Sequence, residues 1–358
     1  MASFRGFGVS LDDEYAILEI CCDWSSVESM QRRKEAREYF DLYDEQLRQL
    51  DLEYSTELGE TWPYAQKSHR QLLDAVEVIR NLGDSATLKQ VRQAIKGRSN
   101  LIIANISILD SVIYAALRVW LLVNFRAPEN RSLGMNRPCI EWQENACLRA
   151  VLNEVFTMST TELTLSQRRL SPHFTIANMS SICGLKIEWA STLDDHLYLD
   201  RQHKVLRIFS DRDWLLLKAE AARNPCQTRT TASTVKISSA PIPAEVYEET
   251  SRTLDLLFPS WDKPTQRLLK RKGKTFHSLY SRNRMLDLKN YPYWKDRLLE
   301  LNEDIFLGPP EGWAQLWNDR RDPQKFWTFW IALAVFTLTI ASTIASVLQT
   351  WATLRTSP

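Results

Sequence analysis

The chain is poor in glycine and lacks the short motifs of common enzyme sites. It has 10 glycines in 358 residues, and the strings GxSxG, HExxH, GxGxxG and the P-loop pattern are absent. Because a phosphate-cradling loop needs glycine where its backbone approaches the ligand, this scarcity argues against nucleotide chemistry. We therefore expect no cofactor, no metal and no enzymatic activity.

Cysteine spacing and net charge exclude further classes. The six cysteines form no CxxC pair, which argues against a zinc or redox motif, and we expect them to be reduced thiols. The net charge of +1 gives no global attraction to nucleic acid, which is not the expected partner. The first residues show no basic region followed by an apolar core, so we expect no signal peptide.

One long apolar run stands near the end of the chain. Residues 326–351 contain no charged side chain, and about 20 apolar residues let a helix cross roughly 30 Å of hydrocarbon. Aromatic residues bracket the run, as in the interfacial belt of spanning helices: Phe326, Trp327, Phe329, Trp330 and Trp351. The sequence thus predicts a single transmembrane helix at 326–351 with membrane lipid around it. Its Ser and Thr hydroxyls should bond to the preceding turn.

The charges around this run predict its orientation. Arg320, Arg321 and Lys325 precede it, whereas only Arg355 follows, so the N-terminal side should be cytosolic. A tail of seven residues implies insertion after translation, as for tail-anchored proteins. The single basic residue in that tail favours the endoplasmic reticulum or another endomembrane over the mitochondrial outer membrane.

A second apolar stretch, Leu101 to Phe125, carries Asp110 and Arg118. Each charge costs ~2.5–3.5 kcal/mol at a bilayer centre, and each Leu, Ile, Val or Phe returns ~0.3–0.6 kcal/mol. With fourteen such residues, the favourable and unfavourable contributions to the free energy of insertion are similar in size. Their sum does not decide between a spanning helix and a buried one. Several Asn and Ser residues favour a buried helix of the soluble body.

Charge is unevenly distributed along the chain. Residues 1–60 contain fifteen acidic and six basic residues, and residues 263–297 contain eleven basic and two acidic ones. The two regions are either solvated faces that partly neutralise each other, or the basic segment lies on anionic headgroups. Candidate residues for such binding are Arg267, Lys270, Arg271, Lys272, Lys274, Arg282 and Arg284.

The first third has helical periodicity. Apolar residues from Ala36 to Tyr54 follow a 4, 3, 4, 3, 4 spacing, which predicts a helix packed on a neighbour at 63–82. In the middle, Ile140-Glu141-Trp142 and Ile187-Glu188-Trp189 predict two short strands, each leading into a helix. Ahead of the second strand, residues 174–184 predict a helix closed by Gly184, and a hairpin at 197–208 would follow the second strand and its helix. Helix, strand, helix, hairpin is the order of a winged-helix unit. A later helix is predicted from about Ala244 to Leu257.

Histidine and aspartate cluster in sequence at this hairpin. The hairpin would place His203 at its tip and His196 at its base, too far apart to share a metal ion. We therefore expect Asp194 or Asp195 to cap a helix, and the histidines to be exposed.

Three segments resemble a large family of uncharacterised filamentous-fungal proteins that end in one membrane helix. They read AEVYEETSRTLDLLFP, YPYWKDRLLELNEDIF and WAQLWNDRRDPQKFWTFWIALAVFTLT. This resemblance implies the anchor but no activity. The stretch from Trp317 to Asp322 also resembles the juxtamembrane segment of fungal proteins similar to CorA-type magnesium channels. Those channels need two spans, the first closed by Gly-Met-Asn. The string Gly-Met-Asn occurs at 134–136, but RPCIEWQENACLRA, which follows it directly, is no second span, and the predicted span lies about 190 residues further on. We therefore interpret the string as a coincidence.

The sequence therefore predicts a mainly α fold with small β-hairpins. Its parts are a helical domain at 1–130, a winged-helix-like region at 131–223, a linker at 224–243, a juxtamembrane helical region at 244–325, the transmembrane helix at 326–351 and a tail at 352–358. The expected role is a membrane-anchored, cytosol-facing interaction or scaffold protein with protein partners. The alternatives are a membrane-tethered binder of nucleic acid or anionic lipid through 263–297, and CorA-like ion transport.

Overall fold

The computed structural model describes residues 11–21, 37–58, 69–98, 106–126, 139–165, 167–223, 241–274, 276, 284–308 and 323–356. These residues are mainly helical with one small sheet, as predicted. The helices of the first third are α1 (Leu11–Cys21), α2 (Arg37–Leu58), α3 (His69–Leu82), α4 (Leu88–Gly97) and α5 (Ile106–Leu121). The later helices are α6 (Leu148–Val155), α7 (Ile176–Cys183), α8 (Arg212–Arg223), α9 (Ala244–Leu257), α10 (Lys263–Arg271), α11 (Lys295–Glu300) and α12 (Pro323–Thr356).

The first five helices pack around α5. Helices α1, α2, α3 and α4 all contact it, and residues 112–121 are buried without interruption. The predicted apolar seam of α2 is confirmed at Phe40, Tyr43 and Leu47, which are buried. The described part of α3 begins at His69, and Pro63, near which this helix is predicted to begin, lies outside the described residues. The Gly134-Met135-Asn136 string also lies outside them.

The two charges of α5 have partners inside the body. The Arg92 guanidinium on α4 donates two hydrogen bonds to the Asp110 carboxylate, from Nε and Nη2, each 2.7 Å long. The Arg118 guanidinium is buried and donates to Gln46 Oε1 and Gln49 Oε1 on α2, both at 3.1 Å. The prediction that this apolar stretch is a buried helix is confirmed for its described part.

The sheet has three strands: β1 (Lys186–Ala190), β2 (Tyr198–Asp200) and β3 (Val205–Phe209). β3 is central, antiparallel to β2 and parallel to β1, with Trp189 opposite Ile208. The predicted hairpin is therefore confirmed, and Gly184 ends α7 with a φ of 70°, as its sequence indicates.

The segment between β1 and β2 differs from its prediction. Residues 191–197 form bends and turns instead of a helix. The Leu193 N–H donates to Leu122 O at 2.6 Å, and Leu197 takes a positive φ of 60°, so tertiary bonds override local helix preference. The order expected of a winged-helix unit is thus not completed here. The first predicted strand is reduced to one bridge between Ile140 and Phe125, although α6 does follow it.

The later helices continue the same core. Buried apolar side chains from Ile17 to Phe306 form one cluster, so the first third and the sheet region share an interior. Helices α8 and α9 are joined by a buried ion pair in which Arg212 donates to both oxygens of Asp255, at 2.9 and 2.6 Å. After α11, a turn of π-helix (Leu301–Phe306) leads to Gly308, the last described residue before α12.

Candidate functional site

Helix α12 is the one described helix long and apolar enough to cross a membrane. Its apolar part runs from Trp327 to Ala352, 26 residues, and within the described structure none of these residues is buried. At 1.5 Å per residue this part is about 39 Å long, which exceeds the roughly 30 Å of a hydrocarbon core. Large side chains are open to the surroundings, with Ile331 61% and Leu338 69% exposed.

Five hydroxyl groups of α12 donate hydrogen bonds within the helix. Thr337 Oγ1 donates to Ala334 O at 2.8 Å, and Thr339 Oγ1 donates to Val335 O at 2.8 Å. Thr343, Ser346 and Thr350 bond back four residues in the same way, each at 2.9 Å. The expected bonding to the preceding turn is confirmed for these five residues, so their hydroxyls need no partner in an apolar medium.

Aromatic side chains mark both ends of this helix. Trp327 and Trp351 are exposed and stand about 36 Å apart along the axis, close to the separation of the two interfaces of a bilayer. Phe329 and Trp330 contact each other edge to face, with centroids 5.4 Å apart. Phe326 and Lys325 lie in the helix, but their side chains are outside the described set, as are Arg320 and Arg321 entirely. The helix continues through the predicted tail as far as Thr356.

The predicted basic segment divides into an exposed face on α10 and residues that bond to the body. On α10, Lys263, Arg267, Lys270 and Arg271 are exposed, whereas Thr265 and Leu269 are buried beneath them. Asp262 caps the helix, because its Oδ2 accepts from Thr265 N at 3.2 Å. α10 therefore presents an amphipathic basic face.

Three other members of the segment are engaged with the body. Arg284 donates to Leu256 O, Pro172 O and Phe174 O, and its burial lowers the pKa of the guanidinium. Lys272 Nζ donates to Ile187 O at 3.2 Å, and Lys274 forms an ion pair with Glu38 at 3.2 Å. The pair between Lys274 and Glu38 joins the basic segment to the acidic first region, as one of the two interpretations expects. Arg282 lies outside the described residues.

A buried polar cluster surrounds His196. The His196 ring has no exposed surface, contrary to the expectation of exposed histidines, and it stacks edge to face on Trp294 at 5.0 Å. Phe209 N–H donates to Nδ1 at 3.2 Å, which leaves the ring proton on Nε2 facing Thr253 Oγ1 at 2.6 Å. Burial, with the nearby Arg297 charge, holds the His196 pKa well below its ordinary value, so the ring is neutral.

Carboxylates complete this cluster, and each is tied to backbone. Glu249 Oε1 accepts from Trp294 N at 2.7 Å and from Tyr293 N at 2.9 Å, at the start of α11. Asp194 Oδ1 accepts from Asn124 N at 2.9 Å. Burial raises the pKa of Glu249 to about 7 and that of Asp194 to about 6. Glu249 thus stabilises the first turn of α11 from inside the core.

The Arg297 guanidinium closes the cluster from the side of α11. Its Nη1 donates to Asp194 O at 2.6 Å and to His196 O at 2.5 Å, and it lies 5.1 Å from the Trp294 ring centroid. Every polar contact named here connects side chains to backbone or to one another within the interior. The arrangement locks the 191–197 turns against α9 and α11.

Within the described residues, no group of three or more His, Cys, Asp or Glu side chains is placed to hold a metal ion. His203 pairs with Asp200 at the tip of the hairpin, 2.9 Å from Nδ1 to Oδ2, and is separate from His196 as predicted. Comparison with family models, curated proteins and solved structures gives no match.

Proposed function

We propose that this protein is a single-pass, membrane-anchored interaction protein whose body faces the cytosol. The observation that carries the proposal is the apolar surface of α12, of which most residues from Trp327 to Ala352 are exposed and none is buried among the described residues. A surface of this length and composition is stable in hydrocarbon and costly in water. The ten Leu, Ile, Val and Phe residues within 327–352 favour insertion by roughly 3–6 kcal/mol.

The flanking charges support the orientation. Arg320, Arg321 and Lys325 on the N-terminal side outnumber Arg355, which favours a cytosolic body. Membership of the fungal family with one terminal membrane helix is part of this proposal, on the resemblance of the segments around the anchor.

The interior supports binding rather than catalysis as the role of the body. The titratable side chains that lie together, His196, Asp194 and Glu249, are buried and bonded to backbone or to a threonine. A general base must reach a substrate proton, whereas these groups face the core. Ion transport would need a second span, and the described part of the other apolar stretch is covered by its neighbouring helices.

Carbonate extraction of the full chain beside a chain ending at Asp322 tests the anchor. The full chain should resist extraction and the shorter chain should become soluble; a shorter chain that stays embedded would overturn the single-pass proposal.

A protease-sensitive tag at the N-terminus of the chain tests the orientation. Protease added to sealed microsomes should cut the tag, whereas protection of the tag would place the N-terminus in the lumen and refute the cytosolic orientation.

Proximity labelling from the N-terminus then tests the interaction role. The matched control is a tag carried on residues 309–358 alone, which keeps the anchor and lacks the body. Proteins labelled by the full chain but not by this control depend on the body. If the two sets of labelled proteins are identical, the body contributes no partner and the interaction proposal fails.

A further inference from the structure

We propose that the basic face of α10, together with Trp261, binds anionic phospholipid headgroups of the membrane that α12 enters. The inference rests on the proposed anchor and assigns a second, peripheral contact between the body and the same bilayer. The ligand chemistry is the phosphate or carboxylate of a lipid headgroup, met by lysine and arginine.

The exposed basic residues of α10 lie on a different side of the helix from the lysine that bonds to the body. At 3.6 residues per turn, Lys263, Arg267, Lys270 and Arg271 fall within an arc of about 100°. Lys272 falls on the other side of the helix, where it bonds to Ile187 O. Among the described residues none forms an ion pair with the four residues of the arc, in contrast to Lys274, which pairs with Glu38.

An exposed tryptophan stands at the start of this face. Trp261 is 57% exposed and immediately precedes the capping residue Asp262. The Arg284 guanidinium lies over the Trp261 ring, 5.9 Å from its centroid, which fixes the ring against the body. A tryptophan beside lysine and arginine is typical of surfaces that rest at the headgroup level of a bilayer.

The face lies near the point where the body leads to its anchor. Arg284 also bonds to Phe174 O, and the Phe174 ring contacts Phe306 with centroids 5.5 Å apart. Helix α10 packs on α7, which in turn packs on the π-helical turn ending at Phe306. The covalent chain from Gly308 to Pro323 spans at most about 50 Å, so the body cannot leave the membrane surface by more than this.

These observations favour a lipid surface over nucleic acid. A basic residue near an anionic surface contributes about fivefold in affinity, and four of them give several hundredfold, which suffices for a tethered site. Free nucleic-acid binding relies on many phosphate contacts, and the chain as a whole has a net charge of only +1.

The test is lysine footprinting of the full chain reconstituted in two kinds of vesicle. One kind is pure phosphatidylcholine, and the other contains one third phosphatidylserine. In the anionic vesicles we expect an amine-reactive acetylating reagent to modify Lys263 and Lys270 at least fivefold more slowly, with the exposed Lys89 and Lys96 of α4 unchanged. Salt at about 0.5 M, where the Debye length is about 4 Å, should remove the protection.

Charge reversal supplies the matched comparison. Arg267→Glu with Arg271→Glu should abolish the protection of Lys263 and Lys270 in anionic vesicles. Lys89→Glu with Lys96→Glu, which changes the net charge equally, should preserve it. Equal modification rates in both vesicles, or equal effects of the two variants, would overturn the proposal.

The remaining outcomes separate this surface from the anchor and from other ligands. Protection in anionic vesicles by protein that carbonate extracts would support the α10 surface and refute the spanning helix. Resistance of the full chain to carbonate, without protection of Lys263 and Lys270, would support the spanning helix and refute the α10 surface. Stronger protection by a DNA duplex, or equal protection by inorganic phosphate, in neutral vesicles would overturn the assignment to a lipid surface.

Discussion

Replacing Glu249 with glutamine should stabilise the body above neutral pH and change little in mild acid. Glu249 has no exposed surface, and its burial raises its pKa to about 7 from the ordinary 4.5. At pH values between 4.5 and about 7, Glu249 holds a proton in the folded chain that it has lost in the unfolded chain. The free energy of unfolding therefore falls as pH rises through this interval, and the full loss is present above pH 7.

The magnitude follows from the two pKa values. The difference between about 7 and 4.5 corresponds to about 3 kcal/mol of stability. Glutamine resembles the protonated side chain, and its carbonyl oxygen can still accept from Trp294 N. Near pH 5 we expect Glu249→Gln to differ from the parent by less than about 1 kcal/mol. Near pH 8 it should be more stable by up to about 3 kcal/mol, because it cannot ionise.

Urea unfolding of the full chain in detergent micelles, followed by tryptophan fluorescence, measures the difference between the two proteins at each pH. Other buried acids, such as Asp211 with its pKa raised by burial to about 7, affect both proteins equally and cancel. Glu220→Gln on α8 is the control, since Glu220 is exposed and the change should stay within about 0.5 kcal/mol. Equal destabilisation by Glu249→Gln at both pH values would refute the reasoning, because the bonds to Tyr293 N and Trp294 N would then outweigh burial.

Two further substitutions test other parts of the molecule. Thr253→Val should cost about 1–3 kcal/mol in the same urea assay, because the buried His196 Nε2–H loses its acceptor, whereas Thr253→Ser keeps the hydroxyl. Equal costs for valine and serine would show that the methyl group matters rather than the hydrogen bond. Ile340→Arg with Ile344→Arg should add roughly 6–8 kcal/mol to insertion of α12 and release the chain into the carbonate supernatant. The same pair changed to leucine should remain in the pellet, and retention of the arginine variant would argue against a spanning helix.

Local periodicity predicted much of the secondary structure. The bounds of α9, the hairpin of β2 and β3 and the end of α7 at Gly184 follow from apolar spacing and turn residues a few positions apart. The apolar run of α12 is likewise visible in composition alone, since no distant contact is needed to define it. These features depend on neighbours along the chain, which a sequence shows directly.

Features set by distant contacts were missed. His196 looks like a surface residue beside two aspartates, but its acceptor, Thr253, lies 57 positions later on α9. The burial of Glu249 could have been predicted, because it lies between Val246 and Thr253 on the face of the helix that is buried. Arg284 was predicted only as one of several basic residues for an anionic surface. Its guanidinium instead donates hydrogen bonds to backbone carbonyls of two separate segments.

Composition alone does not decide whether an apolar helix is buried in the body or spans a membrane, whereas its tertiary partners do. Both α5 and α12 carry enough Leu, Ile and Val to approach the threshold for membrane insertion. In α5, however, Asp110 accepts two bonds from Arg92 on α4, and Arg118 donates to two glutamines on α2. Both charged groups are therefore hydrogen-bonded inside the protein. Moving α5 into a bilayer would break these bonds and leave two charges in hydrocarbon, at a cost of several kcal/mol. Helix α12 has no charge between Trp327 and Ala352, and none of its side chains in this range is buried among the described residues. A bilayer therefore removes its apolar surface from water without placing a charge in hydrocarbon.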